Sequence, residues 1–337
     1  MHELAHTINE ALGNIGTTID YPVQQSGGAK PGTLSELVAE LNTGKVQELM
    51  ILGGNPVYDS PADLSFTDAL GKASFTLHLG LYRNETALCC GWHVPESHFL
   101  ESWSDARAED GSLSIVQPLI EPLYPTHSAH EFFAALLGQI PSSGYEIIRA
   151  AWKQRHPGED FESFWRKTLH DGVAATGSAT AADPAAQQPP AAPQGSVPAI
   201  APRGGLHLVI RPDSFMLDGR YANNAWLQEL PRPFTKLTWE NAAHISVKTA
   251  QDWKLEHGDV VELLYHGRKV EAPVWILPGH SDGCVTIYLG YGRTAAGRVG
   301  NGCGFNAFTL QASDAPWGGA GLELRKTGRR HDFAVRQ

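Results

Sequence analysis

The chain has 337 residues, 42% of them hydrophobic and 18% charged, the composition of a folded protein with room for two domains of ordinary size. Its formal charge of −10 and pI near 5.8, with no basic stripe, exclude nucleic acid as the main partner. No apolar run is long enough to read as a membrane span.

Met1-His-Glu-Leu-Ala-His6 lacks the basic and apolar regions of a signal peptide. Its His2-Glu-Leu-Ala-His6 portion matches H-E-x-x-H, which sets two zinc ligands and a general base on one helix face. With no preceding structure to form a cleft and no evident third ligand, a helix start with Glu3 near its positive end explains these residues more simply. Thr33-Leu-Ser-Glu36 is a capping box; Leu34, Leu37, Val38 and Leu41 follow at helical spacing, and Gly44 stops the helix. The apolar run Leu49–Leu52 then enters Gly53-Gly-Asn-Pro56. A buried strand running into such a loop is where α/β sheets place ligands. Phe75–Leu81 reads as another strand, and Asn84-Glu-Thr86 beyond it is a formal glycosylation sequon, common by chance.

Ser128-Ala-His-Glu131 opens a helix carrying Phe132, Phe133, Leu136 and Leu137, and two more helices are expected at Tyr145–Lys153 and Glu159–Leu169. His127 and His130 flank that helix start and read as capping or surface residues rather than ligands. This alternation makes residues 1–140 a Rossmann-like parallel α/β domain, with 141–172 a helical extension. Residues 173–202 contain eleven alanines and six prolines, with Asp183 the only charge, and read as an extended, mobile linker.

Beyond it the signals change to short strands at Leu206–Arg211, Val260–Tyr265, Lys269–Ile276 and Cys284–Leu289, so residues 203–330 read as a β-barrel. Gly279-His-Ser-Asp-Gly283 matches G-x-S-x-G, but it lies between two strands where the nucleophile elbow needs a strand and then a helix. It reads as a hairpin loop, and Ser281 is not taken as a nucleophile. Cys89, Cys90, Cys284 and Cys303 contain no C-x₂-C pair, so neither an iron–sulfur cluster nor a structural metal is expected; inert buried thiols are the default. Gly290 to Gly304 holds six glycines in fifteen residues, a density that costs conformational entropy. Arg293, Arg298, Asn301 and Asn306 supply donors suited to a phosphate or nucleotide. A plain loop between strands is the competing explanation.

Several stretches together resemble one family. Leu4–Gly16, Leu52-Gly-Gly-Asn-Pro56, Asn84-Glu-Thr-Ala87, Val94-Pro-Glu96 and Glu101-Ser-Trp103 are similar to the third domain of molybdopterin oxidoreductases. His257-Gly-Asp-Val260, Pro278-Gly279, Gly304-Phe-Asn-Ala-Phe-Thr-Leu310 and Ser313-Asp314 resemble that family's C-terminal molybdopterin-dinucleotide-binding barrel, of the double-psi type. Asn224–Pro231, Thr235–Asn241, Gly290–Arg293 and Gly304–Asn306 look like the molybdopterin-like subunit of alternative complex III, a membrane-bound quinol-oxidising respiratory complex.

The resemblance implies molybdopterin guanine dinucleotide as a possible cofactor. Gly53, Gly54 and Asn55 would approach its guanosine part, the glycine-rich loop with Arg293, Asn301 and Gly302 would line the pterin, and Asn306 matches the family's cofactor-side asparagine. Glu85 and Thr86 of the "ETA" element complete the set. No catalytic residue or metal ligand is expected in this segment, because the family's molybdenum-coordinating residue and iron–sulfur site come from an upstream part. Where many active members carry an acidic residue before "ETA", this chain reads His78-Leu-Gly-Leu-Tyr82. The family therefore implies either an empty cofactor fold serving as scaffold or part of a working molybdenum or tungsten enzyme. Implied partners are the N-terminal half of the fold, an iron–sulfur domain or subunit, and membrane quinol-binding and cytochrome subunits, on the periplasmic side of the inner membrane.

Overall fold

The computed structural model describes residues 2–19, 31–108, 111–139, 142–158, 160–174 and 205–335. The expected linker lies outside them except for Val173 and Ala174, as do the side chains of His2 and Glu3. The chain forms two compact units, each assembled discontinuously: residues 1–31 with 96–199, and residues 32–95 with 200–337. Segments expected in separate domains thus share the second unit.

In the second unit, the capping box at Thr33 forms in both directions and starts the helix Leu34–Asn42. That helix buries Val38 and Leu41 against Phe66, Ala69 and Leu70. Strands β1 (Glu48–Leu52), β2 (Phe75–Gly80) and β3 (Trp92–Pro95) make a parallel sheet in the order β1-β2-β3. Their carboxyl ends carry the Gly53-Gly54 turn, His78 and the short helix Glu85–Cys89. The parallel sheet ends at Pro95.

In the first unit, β4 (Ser104–Arg107) and β5 (Leu113–Val116) form an antiparallel pair, two strands that the βα alternation did not suggest. The helices Gly144–Arg155 and Phe161–Asp171 supply Ile148, Trp152, Phe161 and Trp165 to a core with Ile115. Ser128 and Ser143 both make full capping boxes, which is why the helices at 129 and 144 start where they do. Asp105 ties core to surface, accepting from the Trp152 indole at 3.0 Å and from Arg155 at 2.7 Å.

The rest of the second unit is a closed six-stranded barrel. Its strands are β6 (Leu206–Arg211), β7 (Ala243–Ile245), β8 (Asp259–Tyr265), β9 (Arg268–Ile276), β10 (Cys284–Tyr288) and β11 (Gly318–Arg330), in the order β10-β6-β11-β8-β9-β7. The pairs β6–β10 and β7–β9 are parallel and the others antiparallel. Alternation along β6 and β8 turns Leu206, Leu208, Ile210, Val261, Leu263 and Tyr265 inward, where they meet Val274, Val285 and Ile287. Full burial of each such side chain contributes about 1.5–3 kcal/mol.

β9 and β10 do not form the expected hairpin, because β7 lies between them in the barrel. Ser281 therefore sits in a connection between non-adjacent strands. The cysteines also differ from the buried thiols expected: Cys89 is exposed and the other three are half-buried, all free.

Candidate functional site

The Gly53-Gly54-Asn55 turn closes β1 onto β2, the Gly53 amide donating to Leu79 O at 2.7 Å. Both glycines have φ near +70° (+68° and +70°), the left-handed region that favours glycine. The turn delivers Asn55 into the interior. Its Oδ1 accepts from the Thr86 amide at 3.0 Å and hydroxyl at 2.8 Å, and its Nδ2 donates to Glu85 Oε2 at 2.7 Å. Asn84 caps the Glu85–Cys89 helix through Oδ1, and its Nδ2 donates to Gly54 O at 3.1 Å. At 9% exposure with its amide engaged, Asn84 is not presented as a glycosylation acceptor.

Glu85 is the hub. Arg293 donates to it through Nε at 2.9 and 3.0 Å and through Nη2 at 2.7 Å, while the Thr294 and Ala295 amides donate to Oε1 at 2.8 and 2.9 Å. Arg293 Nη1 donates to Gly219 O at 2.7 Å, and its guanidinium lies 4.8 Å from the centre of the Tyr58 ring. Glu85 and Arg293 are 8% and 6% exposed, so removing either partner would strand a buried charge, at about 3–5 kcal/mol. Burial pushes the Glu85 carboxyl upward, but hydrogen bonds from Arg293, Ala295 and Asn55 outweigh it and hold the group down at about 2. Tyr58 adds a second link, its hydroxyl donating to Tyr291 O at 2.6 Å and its ring meeting Phe308 edge-on at 5.2 Å.

The glycine-rich loop folds against itself and its neighbours. Gly292 donates to Cys303 O at 2.7 Å and Gly302 to Arg293 O at 2.9 Å. Asn301 Oδ1 accepts from the Ala296 and Gly297 amides at 2.7 and 3.2 Å, and Asn306 Oδ1 accepts from Phe308 N at 2.9 Å, capping a short helical turn. A Cβ on Gly292 would stand 2.2 Å from Asn306 N, and one on Gly300 would stand 2.4 Å from Ala222 O. Close chain-to-chain approach accounts for these two glycines without any ligand. Arg298, by contrast, is exposed.

Tyr58 and Asp59 were not singled out in the sequence, and His78 was noted only as standing where many family members carry an acidic residue. Tyr58 follows the Gly-Gly-Asn-Pro loop directly. Asp59, next to it, is raised to about 6 by burial, with nearby Asp218 adding to the shift. His78 is fully buried; its Nε2 lies 3.3 Å from Gly54 O and its Nδ1 3.2 Å from His93 Nδ1. Hydrogen bonding to a carbonyl requires Nε2–H, so His93 Nδ1–H donates to His78 in the consistent tautomer pair. Desolvation lowers both imidazoles. The replacement of an acidic residue by His78 was the available signal; nothing marked His93 as its partner.

A pterin dinucleotide would bring a pyrophosphate and a donor-rich ring. The expected binding residues, as placed, do not fit it. Asn55, Glu85, Thr86 and Arg293 bond to one another, and Asn301 and Asn306 bond to backbone amides. The ionised Glu85 would also oppose a phosphate. Of the three expected glycines, Gly53 and Gly302 keep open space where a Cβ would stand. Among the described residues, no group of three or more His, Cys, Asp or Glu is gathered to hold a metal, and no helix is long and apolar enough to cross a membrane.

No protein-family model matches the chain. It is 27% identical over 293 residues to the menaquinone reductase, molybdopterin-binding-like subunit, of Nitratidesulfovibrio vulgaris, covering 82% of this chain and 41% of that protein. Its fold is similar to that of acetylene hydratase from Pelobacter acetylenicus, with a TM-score of 0.62 and 14% identity over 86% of this chain and 46% of that one. The chain thus spans less than half the length of either. Taken with the residues quoted above, the chain is similar in sequence to a molybdopterin-binding-like subunit and in fold to acetylene hydratase.

Proposed function

We propose that this chain is a non-catalytic module of a quinone-linked respiratory complex, a pterin-enzyme fold that works as a scaffold without bound molybdenum. The observation that carries this reading is the closed Asn55–Glu85–Thr86–Arg293 network, in which the residues expected to grip a dinucleotide grip each other. The relative's description as a molybdopterin-binding-like subunit of a menaquinone reductase supports the same reading. The resemblance supports the finer points: a double-psi barrel, a Rossmann-like sheet, and kinship with the alternative complex III subunit. It also supports docking to the N-terminal half of the fold, to an iron–sulfur domain or subunit and to membrane quinol-binding and cytochrome subunits, on the periplasmic side.

A second reading, part of a catalytic molybdenum or tungsten bis-pterin enzyme, is favoured by the open space over Gly53 and Gly302. One measurement separates them. The full-length gene product is assayed for molybdenum and tungsten by elemental analysis, and for pterin by fluorescence after oxidation. Stoichiometric metal and pterin would overturn the scaffold reading, and their absence would overturn the enzyme reading. Asn306→Ala or Gly302→Val sharpens the result. Both lower pterin retention in the enzyme reading and cost only stability in the scaffold reading.

A further inference from the structure

The turn at Arg293–Ala295 has the chemistry of an oxyanion receptor. Two consecutive amides, Thr294 N and Ala295 N, converge on one oxygen of Glu85 at 2.8 and 2.9 Å. The Arg293 guanidinium brackets the carboxylate through Nε and Nη2, the latter at 2.7 Å from Oε2. Asn55 Nδ2 closes the other side at 2.7 Å. Adjacent backbone amides with a planar guanidinium recognise carboxylate or phosphate oxygens. Here the bound oxyanion belongs to the chain itself.

We propose that Glu85 is an internal stand-in ligand: it fills an anion nest built by Arg293, Thr294, Ala295 and Asn55, and keeps external oxyanions out. The reach is long, since Glu85 and Arg293 are 208 residues apart in sequence, so this is not a local turn satisfying its own ends. Both charged partners are almost fully buried, and Tyr58 covers the guanidinium face. A free carboxylate or phosphate enters only after Glu85 leaves. This goes beyond the functional reading above and does not rest on it, since no pterin takes part.

The test uses the full chain, wild type and Glu85→Ala, with acetate and inorganic phosphate as probes and chloride at equal ionic strength as control. Thermal midpoints are followed against anion concentration, together with the amide resonances of Thr294 and Ala295. In Glu85→Ala, acetate or phosphate raises the midpoint and shifts both amides saturably, with affinity at least about tenfold above any wild-type response, because a ligand that binds only the folded state stabilises it. Adding Arg293→Ala abolishes the response. Wild type shows no saturable shift at these amides.

Saturable phosphate shifts at Thr294 and Ala295 in wild type overturn the proposal. So does a folded Glu85→Ala protein that responds to the anions no more than wild type does. If Glu85→Ala is unfolded in chloride, recovery of the native circular dichroism spectrum in acetate or phosphate supports the proposal. Failure to recover at saturating anion overturns it.

Discussion

The barrel interior and the Glu85–Arg293 nest lie in the same unit and are held by different physics. The barrel wall is apolar and repetitive: side chains alternate along each strand, and many interchangeable contacts share the work. The nest is polar and particular, each group having named partners at hydrogen-bond distance. A barrel position can lose a methyl group gradually, through its transfer energy and the cavity left behind. The nest fails abruptly, because removing one partner leaves a buried charge uncompensated. Rigidity from packing degrades by degrees, and rigidity from paired charges does not.

Arg293→Ala gives the largest expected effect, a loss of about 3–5 kcal/mol in urea unfolding, because Glu85 remains buried and ionised. A paired replacement, Glu85→Leu with Arg293→Met, recovers much of that loss. If it recovers none, the abruptness does not come from stranded charge. Next comes Ile287→Ala on the barrel wall, expected at about 2–5 kcal/mol with the slope of the transition unchanged. A changed slope would show that the barrel does not unfold as one body.

A smaller effect, up to about 3 kcal/mol of stabilisation at pH 7, is expected for Asp59→Asn. The folded-state value near 6 lies above that of a free aspartate, so the native unit binds the extra proton and is more stable as pH falls from about 6 toward 4. The gain therefore disappears at acid pH, and a gain that persists would assign it to something other than charge. Glu85 runs the other way. Its folded value near 2 means that its contribution is complete above the ordinary carboxylate range and is lost as pH falls from about 4 toward 2. Urea midpoints between pH 2 and pH 4 should fall in wild type and stay flatter in the Glu85→Leu, Arg293→Met protein.

What could be read from the chain follows the same division. Helices signed by the caps read at Thr33 and Ser128 appear within a residue or two of where the pattern put them. The alternating strands β6, β8 and β9 were equally plain, because period-two burial is a local property. β7, three residues long, and β11, full of glycine and arginine, carry no such local signal and are strands only because the barrel pairs them. Several candidate site residues do gather, but their roles were not legible. Glu85 and Arg293 each suggest a ligand when read alone, and only the fold reveals that each is the other's partner.

β11 has a consequence for the order of assembly. It is the last strand of the barrel and lies between β6 and β8, so the wall has a gap until that segment has been synthesised. Tyr58 and Glu85 must likewise wait for partners 233 and 208 residues further along. During translation the β1–β3 sheet leaves the ribosome before the barrel strands with which it shares this unit, so the pairings of longest sequence separation form late.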